Sequence, residues 1–188
     1  MSIRKKRRKA RVLSLEEKTK IFQACRTLQE RLVIRLLQNV GSRRITCASL
    51  KIEYFNFASK MLNIETQEKT FKPIHISLNN ETMQDLQMYI TEKLKGAKMG
   101  YLFPSYGRSG HLTDKQIYNI VCKVAKRAGL IDVLPHDFRK TFMKTAGINN
   151  LPSNMVANAM GVDPKTMIKY YEEYTPEELQ EQFKKIQI

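Results

Sequence analysis

Cysteine, acid and long apolar runs are what this chain of 188 residues has little of, and each shortage removes a class of protein. The three cysteines, Cys25, Cys47 and Cys122, are scattered without paired spacing or a nearby histidine pattern, which argues against disulfides and a zinc site. Reduced thiols in an intracellular protein are the simplest reading. No apolar stretch approaches the length that crosses a bilayer. The basic run from Arg4 to Arg11 lacks the apolar stretch and cleavage site of a secretory signal. A Gly-rich phosphate loop is also missing, so neither ATP nor another nucleotide is expected. His75 and His111 stand apart from other ligand-type residues and read as structural or exposed, and no metal is expected.

The shortage of acid is the most informative. Against 33 Lys and Arg there are 18 Asp and Glu, a net charge of +15 and a pI of about 9.8, a balance that favours a polyanionic partner. Nucleic acid or an anionic membrane could supply it. Seven basic residues lie between Arg4 and Arg11, and the chain without them is still at +8. Hydrophobic residues make up 42%, enough for one domain with a real core. Residues 1–13 read as a basic arm or linker, because like charges repel and little apolar surface is there to fold.

From residue 14 the pattern is ordered. Ser14 and Glu17 make a capping box that opens a helix to about Thr27. Leu32, Val33, Leu36, Leu37 and Val40 recur at helical spacing, and Gly41 is placed to end that helix. Thr46 to Leu50 reads as a short helix. Strand-like stretches follow at Phe55, Phe57, Met61 to Ile64 and Phe71 to Leu78, with a turn around Lys69. Helical spacing returns over Asn80 to Leu94, over Thr113 to Ala128 and from His136 to Ala146 after Pro135. Asp163 with Pro164, and Thr175 with Pro176, each read as a cap and first-turn proline. The expected fold class is α+β, mainly helical, with a small antiparallel sheet of about three strands.

One string could carry chemistry: Pro135-His136-Asp137-Phe138-Arg139-Lys140-Thr141-Phe142. Three apart on a helix, His136 and Arg139 share a face, so an imidazole and a guanidinium can meet one phosphate. Arginine suits that task because its planar fork bonds two phosphate oxygens and keeps its charge. Further candidates are Arg43 with Arg44 beside it, Lys69 with Lys72 as its rival, and Tyr170, Tyr171 and Tyr174 near the C-terminus. A phenol has an ordinary pKa near 10, so it needs a base or a cationic field to attack at neutral pH.

These residues resemble the catalytic set of the tyrosine recombinases of the phage-integrase type over roughly residues 12–175. His136-x-x-Arg139 resembles the family's histidine and arginine pair, and Gly41-Ser42-Arg43 with Leu50 is similar to the segment around its first arginine. The glutamate expected three residues after that arginine is Thr46. The resemblance makes Lys69 the general acid in a hairpin turn. Tyr171 becomes the nucleophile, nine residues after Val162, with Tyr170 and Tyr174 as alternatives. Val162 stands where the family usually has a hydrogen-bonding histidine, and valine cannot donate. Lys165 is a possible substitute.

What the resemblance implies is a recombinase catalytic fold over residues 14–174 that cuts and rejoins double-stranded DNA through a 3′-phosphotyrosine, without metal or ATP, as a tetramer on DNA. Arg4, Lys5, Lys6, Arg7, Arg8, Lys9, Arg44, Lys72, Lys140 and Lys165 are the expected DNA contacts. The tail, residues 175–188, carries Leu179, Phe183 and Ile186 at helical spacing and is expected to pack on its own domain or pass to a neighbouring subunit. Complete family members also carry a helical clamping domain ahead of this one, so the chain reads as a fragment or a short form. The rival expectations are a topoisomerase of type IB and a DNA-binding relative without activity. A protein for RNA or anionic lipid comes third.

Overall fold

The structure is a computed structural model that describes residues 10–66 and 72–171, the last of these by its backbone alone. Its elements in chain order are α1 (Leu15–Gln23), α2 (Leu28–Val40), α3 (Arg44–Ala48), a 3-10 turn (Ile52–Tyr54), β1 (Phe55–Asn56), β2 (Met61–Ile64) and β3 (Ile74–Ser77). They continue with α4 (Asn80–Lys93), α5 (Asp114–Arg127), α6 (Pro135–Ile148), α7 (Ser153–Ala159) and α8 (Pro164–Tyr171). The strands form one antiparallel sheet in the order β1-β2-β3, with Leu62 opposite Ile76 and Ile64 opposite Ile74. Mainly helical with a three-stranded sheet, the fold class is the one expected.

Helix α2 is the centre of the domain because it is apolar on most of its circumference. Leu32, Val33, Ile34, Leu36 and Leu37 are wholly buried, and α1, α3, α4, α5 and α6 all pack on it. A helix surrounded in this way is stabilised by burial rather than by propensity. Two ion-pair groups tie it to its neighbours. Asp85 of α4, buried, accepts from Arg31 Nε at 2.7 Å and Arg35 Nε at 2.8 Å. Glu30, buried at the start of α2, accepts from Arg127 Nη2 at the end of α5.

Local signals moved three boundaries. Helix α1 stops at Gln23 rather than near Thr27, because Thr27 is itself a cap: its hydroxyl accepts from the Glu30 amide at 3.1 Å and opens α2. Helix α3 begins two residues before the expected Thr46. The folded domain also takes in residues ahead of Ser14. Leu13 is buried and its amide donates to Thr141 Oγ1 at 2.8 Å, while the Arg11 amide donates to Asp137 Oδ1 at 2.9 Å. Phe57, expected in a strand, lies in the turn between β1 and β2 and is exposed.

Acid should loosen this framework. A bidentate bond from Arg11 holds the Glu17 carboxyl below its ordinary 4.5, with burial opposing. Burial pushes Glu30 up, but Arg127 and the Arg26 amide outweigh it and the net shift is also down. A carboxyl depressed in the folded state stabilises it above the unfolded value, and that stability is lost as pH falls through the folded value. Melting temperatures should therefore hold steady down to about pH 5 and then drop as these carboxylates protonate. Glu30→Gln should melt lower at neutral pH and show a shallower acid dependence, and an unchanged acid profile would remove Glu30 from this role.

Candidate active site

The site is assembled where α2 ends. Gly41 takes a left-handed conformation (φ +60°), which turns the chain out of α2 and carries it through Ser42 to Arg43, the N-cap residue of α3. A larger residue fits only if its neighbours shift: a Cβ would lie 2.9 Å from Met160 Cε and 2.9 Å from the Phe142 ring. The freed carbonyl of Gly41 accepts from Arg139 Nη1 at 2.6 Å across 98 residues of sequence. One bond thus fixes the α2–α3 junction against α6.

Helix α6 presents the other half. Pro135 sits in its first turn, and the buried Asp137 carboxylate accepts from the Leu134 amide at 2.8 Å and from Arg11, so it caps the helix and anchors the arm together. Arg139, one helical turn after His136, is 5% exposed, and among the described residues no carboxylate pairs with it. Burial pushes its guanidinium down to about 10, Arg43 adds to the push and Tyr170 opposes it. It remains a cation at neutral pH.

Arg43, half-buried, is also held below its usual range by burial. His136 keeps part of its surface in solvent, yet burial and then the charge of Arg139 lower its pKa below 6.5, against the pull of Asp137. Its imidazole is therefore neutral at pH 7 and able to accept a proton. Two guanidiniums, a neutral imidazole and the half-buried phenol of Tyr170 share one field with no described acid to neutralise Arg139. A phosphate is the ligand that such a site suits.

Arg44 goes elsewhere. Its guanidinium is 3.2 Å from Asp114 Oδ2 and lies over the Tyr118 ring at 5.7 Å, so it is held by α5. Both arginines stand at the start of α3, where the helix dipole disfavours a cation. Val162 is buried and Lys165 is exposed in the first turn of α8. Lys72 is exposed before β3 and Lys140 is half-buried on α6. His75 meets Asn63 and His111 packs at a tilt against Tyr101, both as structural or surface groups. Lys69, Tyr174, the tail, Arg4 to Lys9 and the side chain of Tyr171 lie outside the described residues. Sequence reasoning passed over Asp137 as a positioning residue, although an acid at the third position after the expected cap is its signal.

The sequence profile described as the phage integrase family matches residues 11–178. The chain belongs to the phage integrase family. Its likeness extends to the tyrosine recombinase XerA of Pyrococcus horikoshii, 23% identical over 176 residues, which are 94% of this chain and 61% of that protein. The chain therefore spans less than two thirds of that relative. A crystal structure of XerA recombinase superposes with a TM-score of 0.80 at 20% identity, covering 95% of this chain and 64% of that one. XerH recombinase bound to its palindromic difH substrate gives 0.75 at 21% identity, covering 91% of this chain and 51% of the other. At these identities the structural likeness is one of fold, and within the phage integrase family it places this chain on the catalytic-domain architecture.

Proposed function

We propose that this chain is the DNA-cleaving and DNA-joining domain of a site-specific recombinase, and the observation that carries the reading is the buried Arg139 with no described carboxylate partner beside Arg43 and His136. The scissile phosphate is the anion that these groups bind. A tyrosine oxygen attacks phosphorus, the bond to the 5′ oxygen breaks, and a 3′-phosphotyrosine and a free 5′ hydroxyl result. Neutral His136 takes the phenolic proton, and Lys69 gives one to the departing oxygen. Arg43 and Arg139 hold the charge that builds on the phosphoryl oxygens. The phosphodiester energy is conserved in the tyrosyl ester, so the reverse attack by a 5′ hydroxyl rejoins the strand without metal or ATP. On double-stranded DNA the assembly is a tetramer.

The motif spacing points to Tyr171 as nucleophile, with Tyr174 further along. Tyr170, whose phenol acts electrostatically on Arg139, is the alternative. A nicked suicide substrate separates the two. Tyr171→Phe should abolish the covalent DNA adduct and Tyr170→Phe should retain it. The reverse pattern moves the nucleophile to Tyr170. If the unsubstituted chain binds DNA and forms no adduct, the chain is instead a binding relative without activity, a reading that the buried apolar Val162 favours because it leaves the phosphate one donor short.

A further inference from the structure

A second polar pocket, of about 210 Å³, lies at the far end of α3 from Arg43 and is lined by Thr46, Ser49, Lys51, Tyr54, Thr66 and Tyr101. No acid lines it. The backbone around Lys51 is held rigidly: Lys51 and Tyr101 form an isolated antiparallel bridge, flanked by the bonds Ile52 N to Gly100 O at 2.9 Å and Leu102 N to Leu50 O at 2.8 Å. Residues directly opposite in such a pair put their side chains on one face. The Lys51 ammonium accordingly stands 5.6 Å from the Tyr101 ring centroid and 6.0 Å from that of Tyr54. Among the described residues it has no ion pair. The Ser49 hydroxyl is committed to the Ile45 carbonyl at 3.1 Å, which leaves Lys51, the two phenols and Thr66 to face a ligand.

We propose that this pocket is a backbone-phosphate subsite for DNA, in which Lys51 holds a phosphate of the same strand next to the one at Arg43 and Arg139. The inference rests on the recombinase reading and deepens it. The place of the pocket in the fold favours a phosphate of the duplex. The pocket shares α3 with Arg43, and a helix of five residues is only about 7 Å long, so a strand bound at Arg43 and Arg139 passes close to the pocket. Thr66 is the last described residue before residues 67–71, which include the candidate general acid Lys69. Rings beneath a lysine restrict where its ammonium sits without neutralising it, which suits a point contact to an oxyanion.

A phosphate contact has a signature that a structural lysine lacks, since each one contributes about one unit to the slope of log binding constant against log salt, whatever the DNA sequence. The experiment measures binding of the whole chain to a duplex across a salt series, with melting curves for each variant. Lys51→Gln should reduce the slope by about one and weaken binding equally on any sequence, and Lys51→Arg should restore both. Lys51→Met, which keeps the aliphatic stem over the two rings, should match Lys51→Gln. An unchanged slope in Lys51→Gln and Lys51→Met overturns the subsite while the recombinase reading stands. If the unsubstituted chain binds no DNA, both fall.

Discussion

Arg139→Ala should lower the rate of strand cleavage by on the order of a hundredfold to a thousandfold, the loss that follows removal of one preorganised donor to a charged transition state. The same variant should melt close to the parent. Two stability terms oppose each other there: the Gly41 carbonyl loses its donor, which costs about 1–3 kcal/mol, and a buried cation with no described carboxylate partner is removed. Duplex binding should be mostly retained, because many other cations contribute to it. Arg139→Lys should be only a partial rescue. A lysine keeps the charge but cannot bond the Gly41 carbonyl and a phosphate with one planar fork. Single-turnover cleavage of a nicked substrate measures this directly, and parental cleavage by Arg139→Ala would sink the assignment of the site.

Gly41→Ala should damage both stability and activity, with activity losing more. Alanine at φ +60° costs roughly 1 kcal/mol in backbone strain alone. Its Cβ would then stand 2.9 Å from Met160 Cε and from the Phe142 ring. The methionine end can move, but the ring is packed against the core, so the α2–α3 junction must shift and a further 1–3 kcal/mol is expected, roughly. A lower melting temperature reports that part. The functional loss comes from the carbonyl, because a displaced Gly41 misplaces the Arg139 fork, and a displacement near 1 Å can cost about a hundredfold in rate. Cleavage assayed well below the melting temperature separates the two effects. Full activity in a destabilised Gly41→Ala protein would mean that the junction does not position Arg139.

Much of the candidate site was legible in the chain because its residues lie in local strings with a physical period. The three-residue spacing of His136 and Arg139 puts them on one face of any helix, and Pro135 marks where that helix starts. Gly41 announced a helix end, and α2 announced itself by its apolar period. The start of α1 at its capping box and of α5 at Thr113 followed from side chains that bond their own backbone three residues on.

Other features depend on partners far away in sequence. Nothing in the string around Arg44 says that Asp114 and Tyr118 hold it, and that contact is what separates its role from that of Arg43. Thr27 reads as the tail of one helix until the buried Glu30 and Arg127 show it to be the start of the next. The Lys51 pocket exists only because residues 50–52 pair with residues 100–102.

The sequence by itself determined most of the helices, though not α7, together with the basic balance and the family, since periodicity, caps and short motifs act over a few residues. The tertiary structure decided which cations face one another. It buried Arg139 against the Gly41 carbonyl, made His136 neutral and set Tyr170 in the field of the arginines. Burial and long-range electrostatics depend on what the whole fold brings near a group, and no stretch of a few residues contains that information.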